Sequence, residues 1–385
     1  MQKRHLLHIT YFLNFFFGLH AFALLYVHSS VLSRAVGEQS VGLVYALAAL
    51  SAIIVLSFVP TILKRVGDVR FVFFCVVAEI VAALGIAFTG EPLLIVLLFI
   101  VHSVAYRAIL VDLDIFLESA STEDTTGVVR GSFLTVGNIA LVIAPVLVGL
   151  LLGSTELYSK VYLFASLILL PAALLLLLSF RHFKDPRYVR ASLLQTFKKI
   201  WARPALRRIT LIDFLLRFFY AWMVIYMPLY LHTYIGLPWD RIGVIFTIML
   251  VPFALFELPL GTLADKVFGE KELLIIGLSI MGGTTLVLAF INSTSFLVWT
   301  IALFATRVGA SMVEIMSETY FFKNVERHEA DLMEYFRSVE PMAYIVAPVL
   351  ASLLLLVASM PLLFILLGCI MLGGIPIAVT LRDTR

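Results

Sequence analysis

Polar positions are sparse along this chain and fall in clusters. Between the clusters lie twelve apolar runs, at about 6–29, 41–63, 69–89, 92–119, 128–153, 158–181, 209–234, 240–264, 272–291, 295–322, 332–357 and 360–381. Each is long enough to cross the hydrocarbon core of a bilayer as a helix, which takes about 20 residues. In lipid only helices and closed barrels satisfy every backbone polar group. Barrel strands alternate apolar and polar side chains over about ten residues, and these runs do not alternate. The pattern predicts an all-α membrane protein with twelve transmembrane helices.

Composition agrees. Hydrophobic residues make up 62% of the 385 and charged ones 14%, with a mean hydropathy of +1.04. A soluble domain of this length needs more charge than that to cover its surface. The first run follows "MQKRH" without a small-residue cleavage site, so it is expected to be a retained helix and not a signal peptide. Cys75 and Cys369 fall inside apolar runs and read as packing residues.

The net charge of +3 is not a nucleic-acid signal, because the charge is sorted by side. Assigned to alternate loops, 22 of the 28 Lys and Arg fall on one side and 3 on the other. The remaining three, Arg107, Arg217 and Arg307, lie inside runs. The positive-inside rule then places both termini in the cytoplasm. The longest loop, "RHFKDPRYVRASLLQTFKKIWARPALRR", is basic, and Leu193, Leu194, Phe197, Ile200 and Trp201 recur in it at helical spacing. That is the pattern of an amphipathic helix on the inner membrane surface. It reads as a tether between halves or as a lipid-sensing element.

The chain is written twice, at an offset of about 200 residues. "HITYFLNFFFGLHAF" at His8 faces "RITLIDFLLRFFYAW" at Arg208, and "SVGLVYAL" at Ser40 faces "RIGVIFTI" at Arg241. Arg107 faces Arg307, Asp114 faces Glu314, and Glu118 faces Glu318. "VIAPVLVGLLL" at Val142 faces "IVAPVLASLLL" at Ile345. The expected organisation is a six-helix bundle over 1–181, a basic linker over 182–208, and a second, pseudo-symmetric six-helix bundle over 209–385. Six helices per half give a parallel repeat about an axis along the membrane normal, an arrangement associated with alternating access.

One polar cluster, "FELPLGTLADKVFGEKELL" from Phe256 to Leu274, carries a signature. Gly261, Leu263, Ala264, Asp265 and Lys266 resemble the G-x-L-a-D-r-x-G-r-k loop between the second and third helices of each half in the major facilitator superfamily. The preceding Glu257 and Pro259 fit as well. The first-half copy, "PTILKRVGDVR", keeps Arg65 and Gly67 but has Pro60 for the glycine and Lys64 for the acid. In the second copy Gly269 comes one residue late, with Phe268 in its slot. The resemblance implies a transporter that moves small solutes by rocking two halves. It also implies a cytoplasmic gate in which the loop's acid caps a helix and its bases pair with nearby acids. Gly261, Asp265, Lys266, Lys271, Lys64, Arg65, Gly67, Glu118 and Glu318 are the gate candidates. Arg107 resembles the family's fourth-helix arginine, R-x-x-q-G, with Leu110 and Val111 in place of Gln and Gly. "APVLVG" and "APVLAS" resemble the family's G-x-x-x-G-P-x-x-G-G element, which is associated with antiporters. Pro145, Gly149 and Pro348 are the helix-packing candidates there.

Ionisable residues inside a membrane are costly and are functional candidates by default. On the fourth run, positions seven and eleven beyond Arg107 return to its face of a helix, so Asp114 and Glu118 share that face and Asp112 points elsewhere. The tenth run repeats this with Arg307, Glu314 and Glu318. The arginines suit a carboxylate or phosphate, and Asp114 and Glu314 suit proton loading. Alternatively, each ladder neutralises itself and holds helices together. On the seventh run Asp213 and Arg217 form an i,i+4 pair, with Tyr220 and Tyr226 beyond. The first run offers Asn14 and His20, the latter able to titrate near neutral pH. Arg107, Asp114, Arg307, Glu314, Arg217, Tyr220, Asn14 and His20 are the cavity candidates. Glu79 and His102 have no assigned partner in the sequence.

No His/Cys ligand spacing, phosphate-cradling glycine loop or nucleophile elbow is present, which argues against an enzyme. The expected function is secondary active transport, proton-coupled, with export of a drug-like or metabolite solute favoured. A non-transporting receptor or regulator on the same fold, or a membrane-embedded lipid-modifying enzyme, is the alternative. The expected partners are a small-molecule substrate, protons and membrane lipids, with no cofactor, metal or nucleic acid. The chain is expected to work as a monomer in the cytoplasmic membrane.

Overall fold

The computed structural model describes residues 3–120, 126–179, 193–263, 268–325 and 329–382. Every regular element among them is a helix. The first half holds α1 (Lys3–Leu25), α2 (His28–Val36), α3 (Glu38–Val66), α4 (Asp68–Phe88), α5 (Pro92–Ala120), α6 (Thr126–Leu152) and α7 (Ser159–Ser179). The central segment forms α8 (Leu193–Ala202). The second half holds α9 (Pro204–Leu229), α10 (Trp239–Leu263), α11 (Glu270–Leu288), α12 (Phe296–Lys323), α13 (Ala330–Arg337), α14 (Val339–Leu355), α15 (Met360–Leu372) and α16 (Ile375–Val379).

All twelve apolar runs become helix, and eleven spans among the described residues are long and apolar enough to cross a membrane. The remaining run, the eighth, is α10, part of whose second half has side chains outside the described residues. The all-α membrane fold is thus what the chain adopts. Three runs are interrupted, which periodicity alone did not indicate. The first breaks into α1 and α2 at Tyr26–Val27, the eleventh into α13 and α14 at Ser338, and the last into α15 and α16 at Gly373–Gly374. α9 ends in a π-helical turn, Tyr230–Tyr234.

The chain divides into two compact units. One comprises Met1–Arg190 with Pro238–Val244, the other Ala191–Leu237 with Ile245–Arg385. In the first, α1, α4, α5 and α7 enclose a core that includes Leu13, Phe17, Val76, Ile109 and Leu169. Pro145 and Gly149 lie on α6 against the first turns of α10. A Cβ on Gly149 would sit 2.9 Å from the Trp239 carbonyl oxygen. In the second unit, α11 packs against α12 and α15, and α9 packs against α14. A Cβ on Gly309 of α12 would lie 2.7 Å from the Gly277 carbonyl oxygen of α11, so these backbones approach closely. Trp222 Nε1 donates to the Ala347 carbonyl at 2.6 Å, tying α9 to α14 beside Pro348. Large apolar side chains such as Phe74, Phe88, Leu150, Phe290, Leu297 and Val357 remain exposed, as a lipid-facing surface requires.

α8 belongs to the second unit. Thr196 and Ile200 are buried, Phe197 stacks on Trp201 at 4.8 Å, and Phe197 meets Tyr335 of α13 at 6.1 Å. The amphipathic face expected over 193–201 therefore packs, at least through these residues, on protein. The expected domain boundary at 181 lies outside the described residues.

The repeat is visible in the backbone. Gly67 joins α3 to α4 with φ 82° and ψ 152°, and Gly269 precedes α11 with φ 88° and ψ 164°. Only glycine tolerates that region without strain of about 1–3 kcal/mol. Despite the one-residue shift seen in the sequence, both glycines serve as the N-cap of the following helix. An acid follows each, Asp68 and Glu270, and both are buried, with Glu270 accepting from Lys323 Nζ at 2.5 Å. A carboxylate at a helix N-terminus is favoured by the backbone dipole. Gly269→Ala is expected to cost about 1–3 kcal/mol in thermal unfolding. Gly283→Ala, at a helical site where a Cβ meets nothing within 4 Å, is expected to be neutral or mildly stabilising. Equal melting temperatures for the two variants would remove the case for a strained turn.

Candidate functional site

Two polar clusters lie inside the described helices, one in each unit. In the second unit the centre is Arg217, on α9. Its Nε lies 3.4 Å from Asp213 Oδ1, one turn earlier on the same helix. Its Nη1 donates to Glu314 Oε1 of α12 at 2.9 Å, and its Nη2 is 3.8 Å from Glu318 Oε1. Tyr220 donates its hydroxyl to the other Glu314 oxygen at 2.9 Å. The fork of a guanidinium suits this arrangement, since it serves several acids at once.

The expected ladder along α12 therefore does not close on itself. Glu314 and Glu318 turn to Arg217 of α9 and not to Arg307. The reason is geometric: seven residues along one helix are about 10 Å of rise, beyond side-chain reach, while a packed neighbour is close. Arg307 is left 2% exposed, and its Nε and Nη1 have no hydrogen-bond partner among the described residues. Its guanidinium carbon lies 5.2 Å from the centroid of Phe219 and 5.6 Å from that of Tyr220, so ring faces supply part of its compensation. Two unmet donors on a buried cation leave hydrogen-bonding capacity that an anion or a carbonyl oxygen could take up.

In the first unit the cluster is built from histidines. His20 on α1 places Nδ1 2.9 Å from the Ala165 carbonyl oxygen and Nε2 3.3 Å from Glu79 Oε2 on α4. His102 on α5 places Nδ1 2.6 Å from the same Glu79 oxygen. His102 Nε2 is 3.0 Å from His28 Nε2, and His28 Nδ1 is 2.8 Å from the Tyr162 hydroxyl. All five side chains are buried. The nearest donor atoms of His20, Glu79 and His102 lie within 4.8 Å of one another, close enough to consider a metal. Two ligands of one tetrahedral ion, each at about 2.0–2.1 Å, stand roughly 3.3 Å apart, however, and the Glu79–His102 distance is that of a hydrogen bond.

The remaining expected residues are placed as follows. Asn14 donates Nδ2 to the Phe133 carbonyl at 2.8 Å and so ties α1 to α6. Arg107 is half-buried, while Asp114 and Glu118 are exposed on α5; Asp112, which the helical wheel turned away, is fully buried. Lys64 and Arg65 are exposed at the end of α3, and Lys271 is half-buried in the first turn of α11. Gly261 lies in the last turn of α10. Asp265 and Lys266 lie outside the described residues.

A family model described as Major Facilitator Superfamily matches residues 7–240 and again 238–385. The chain belongs to the major facilitator superfamily. The first match covers the first half and continues through the seventh apolar run; the second covers the remainder. Solved structures of the same fold accompany it. One is the nucleoside transporter NupG, 14% identical, with a TM-score of 0.74 over 99% of this chain and 100% of that one. Another is a bacterial homologue of the human lysosomal transporter Spinster in an inward-facing, unoccupied conformation. It is 12% identical, with a TM-score of 0.70 over 98% of this chain and 95% of that one. No curated protein sequence matches the chain. Membership makes this a multi-pass membrane transporter by fold.

Within this major facilitator chain, sequence reasoning missed Glu79, His102, His28 and Tyr162 as partners of His20. Each falls on a different helix, and a lone polar residue in an apolar run carries no sign of whom it meets. Three of the four histidines inside the first and fourth runs, in a half with so few polar residues, were the available signal.

Proposed function

We propose that this chain is a proton-coupled secondary transporter that exports a small organic anion, of metabolite or drug-like size, by rocker-switch alternating access. The observation that carries the reading is Arg307, buried with two donors unmet beside the rings of Phe219 and Tyr220. Keeping a partly compensated cation inside a membrane protein is costly, and a substrate carboxylate or phosphate relieves that cost. The aromatic walls suit the apolar body of such a solute. Arg217 with Asp213, Glu314 and Tyr220 forms the adjoining polar wall. Arg107 occupies the repeat-equivalent position in the first half and is assigned the same role there. The export direction follows the antiporter-associated element that "APVLVG" and "APVLAS" resemble.

The gate assigned to Gly261, Asp265, Lys266, Lys271, Lys64, Arg65, Gly67, Glu118 and Glu318 is the family's. Asp68 and Glu270, buried beside the two glycine turns, join it as acids that cap the following helices. The sorting of basic residues supports a location in the cell membrane with both termini in the cytoplasm.

The test is a thermal-stability screen of the purified protein in detergent, with small carboxylates, phosphate monoesters, sugars and lipophilic cations, each at two pH values. A ligand at 100 times its dissociation constant adds about 2.7 kcal/mol to the folded state. An anion is expected to stabilise wild type and not Arg307→Ala, and to be accumulated by proteoliposomes under a proton gradient. If only lipophilic cations register, and Glu314→Gln abolishes their effect, the substrate is a cation and Arg307 is an internal counter-ion.

A further inference from the structure

The histidine cluster of the first unit is not used by the anion reading, and its hydrogen bonds constrain where protons sit. The Ala165 carbonyl can only accept, so His20 Nδ1 carries a hydrogen. A neutral His20 then turns a lone pair at Nε2 toward Glu79 Oε2, 3.3 Å away. An ionised Glu79 presents lone pairs in return. The contact is favourable only when one proton is shared between the two, as carboxylic acid with neutral imidazole or as carboxylate with imidazolium. Charge points the same way. Glu79 is the one carboxylate of the cluster, it is fully buried, and its Oε1 has no hydrogen-bond partner among the described residues. A single proton leaves the cluster neutral, whereas a divalent cation would leave a net buried charge.

The rest of the cluster leads from that pair to a cavity. From Glu79 the contacts run to His102, then His28, then the Tyr162 hydroxyl, at 2.6, 3.0 and 2.8 Å. Tyr162 also lines a cavity of about 310 Å³ among Arg34, Thr89, Glu156 and Tyr158. That cavity lies where α2 and α4 end and where α5 and α7 begin, at the end of the unit away from Lys3. Arg34 pairs with Glu156 there and lies 4.5 Å from the Tyr158 ring centroid. A neutral Tyr162 donates to His28 Nδ1, His28 Nε2–H donates to His102 Nε2, and His102 Nδ1–H donates to Glu79. Every contact then has one donor and one acceptor, all oriented the same way.

We propose that Glu79 and His20 form an exchangeable single-proton site, loaded from this cavity through Tyr162, His28 and His102. The proposal rests on the proton-coupled transporter reading for its purpose but not for its test. Loading balances as follows. Tyr162 passes its hydroxyl proton to His28 Nδ1 and regains one from cavity water. His28 passes the Nε2 proton to His102 Nε2, and His102 passes the Nδ1 proton to Glu79 Oε2, where rotation about the C–O bond turns it to His20 Nε2. One proton has entered and one oxygen has been protonated; His28 and His102 are left as the opposite tautomers, and release of the proton along the same path restores them. Each step uses a hydrogen bond already formed.

The titratable groups next to the pair and its path are His28 from α2, Cys75 one turn earlier on α4, His102 and Tyr106 from α5, and Tyr162 from α7. Tyr106 stacks on His102 at 6.2 Å, and Asp112 is a further buried acid of the same unit, on α5. The Asp112→Asn variant is therefore included as a control.

The experiment is infrared pH-difference spectroscopy of the full chain in lipid, with histidine 15N labelling to read tautomers. One reversible single-proton titration is expected in wild type and in Asp112→Asn, lost in Glu79→Gln and shifted in His20→Gln. After a pH jump Tyr162→Phe, which keeps the ring and removes the donor, is expected to reach the same end-point about tenfold more slowly or worse. The proposal is overturned by a pH-insensitive wild type, by a titration that survives Glu79→Gln, or by Tyr162→Phe exchanging at the wild-type rate. Stoichiometric binding of added zinc chloride that is lost in Glu79→Gln also overturns it, in favour of a metal site. None of these readings needs a transported solute, so a failed solute screen and a failed proton site are separate results.

Discussion

Arg217→Met is expected to destabilise the protein more than any other single change in the second unit, by roughly 3–5 kcal/mol. Methionine keeps most of the apolar stem and removes the guanidinium. Asp213, 1% exposed, then loses its ion pair, and Glu314 keeps only Tyr220. The cost arises from stranded acids and not from lost packing. The triple variant Arg217→Met, Asp213→Asn, Glu314→Gln should therefore recover most of the loss, because no buried charge is left alone. The measurement is thermal unfolding in one detergent at one scan rate, since such transitions depend on rate. A single variant as stable as wild type, or a triple variant as unstable as the single, would show that the cluster is not what holds α9 to α12.

Arg307→Met is expected to move stability the other way, by about 1–3 kcal/mol upward in the absence of any ligand. The two arginines sit on neighbouring helices, α9 and α12, yet their surroundings differ. Arg217 has three acids within 4 Å, and Arg307 has two unmet donors and two ring faces. Replacing an unmet buried cation by a matching apolar side chain removes a desolvation cost. Stability gained with binding lost is the mark of a residue kept for function. The same variant should lose all stabilisation by the anion that protects wild type. A lower melting temperature in Arg307→Met would mean that the cation has a structural partner, and the anion site would lose its support.

Most of the fold was legible in the sequence. Run length and missing alternation pointed to helices, and the matched pairs from His8–Arg208 to Val142–Ile345 revealed the repeat. The breaks at Val27, Ser338 and Gly373 were not legible, because an apolar run reads the same whether or not the helix pauses. The candidate site was legible in part. Arg217 and Asp213 could be paired because i,i+4 spacing is a property of one helix. The partners of Glu314 could not, since the wheel of α12 ranks its own residues and is blind to the face α9 presents. The same blindness hid Glu79 and His102, and it dismissed Asp112, whose position off the shared face turned out to be the buried one. Asp265 and Lys266, the clearest part of the signature loop, lie outside the described residues, so their role rests on the resemblance alone.

The paired turns at Gly67 and Gly269 carry a lesson about ancestry. Both halves keep the same backbone punctuation and a buried acid after it, while their interiors have gone separate ways: histidines around one carboxylate in one half, arginines among several acids in the other. Duplication preserved the frame and released the contents. A transporter made by joining two copies of the first half would keep both glycine turns, yet it would carry two histidine interiors and no Arg307. The asymmetry of the interiors is thus a matter of side chains, set within turns that both halves share.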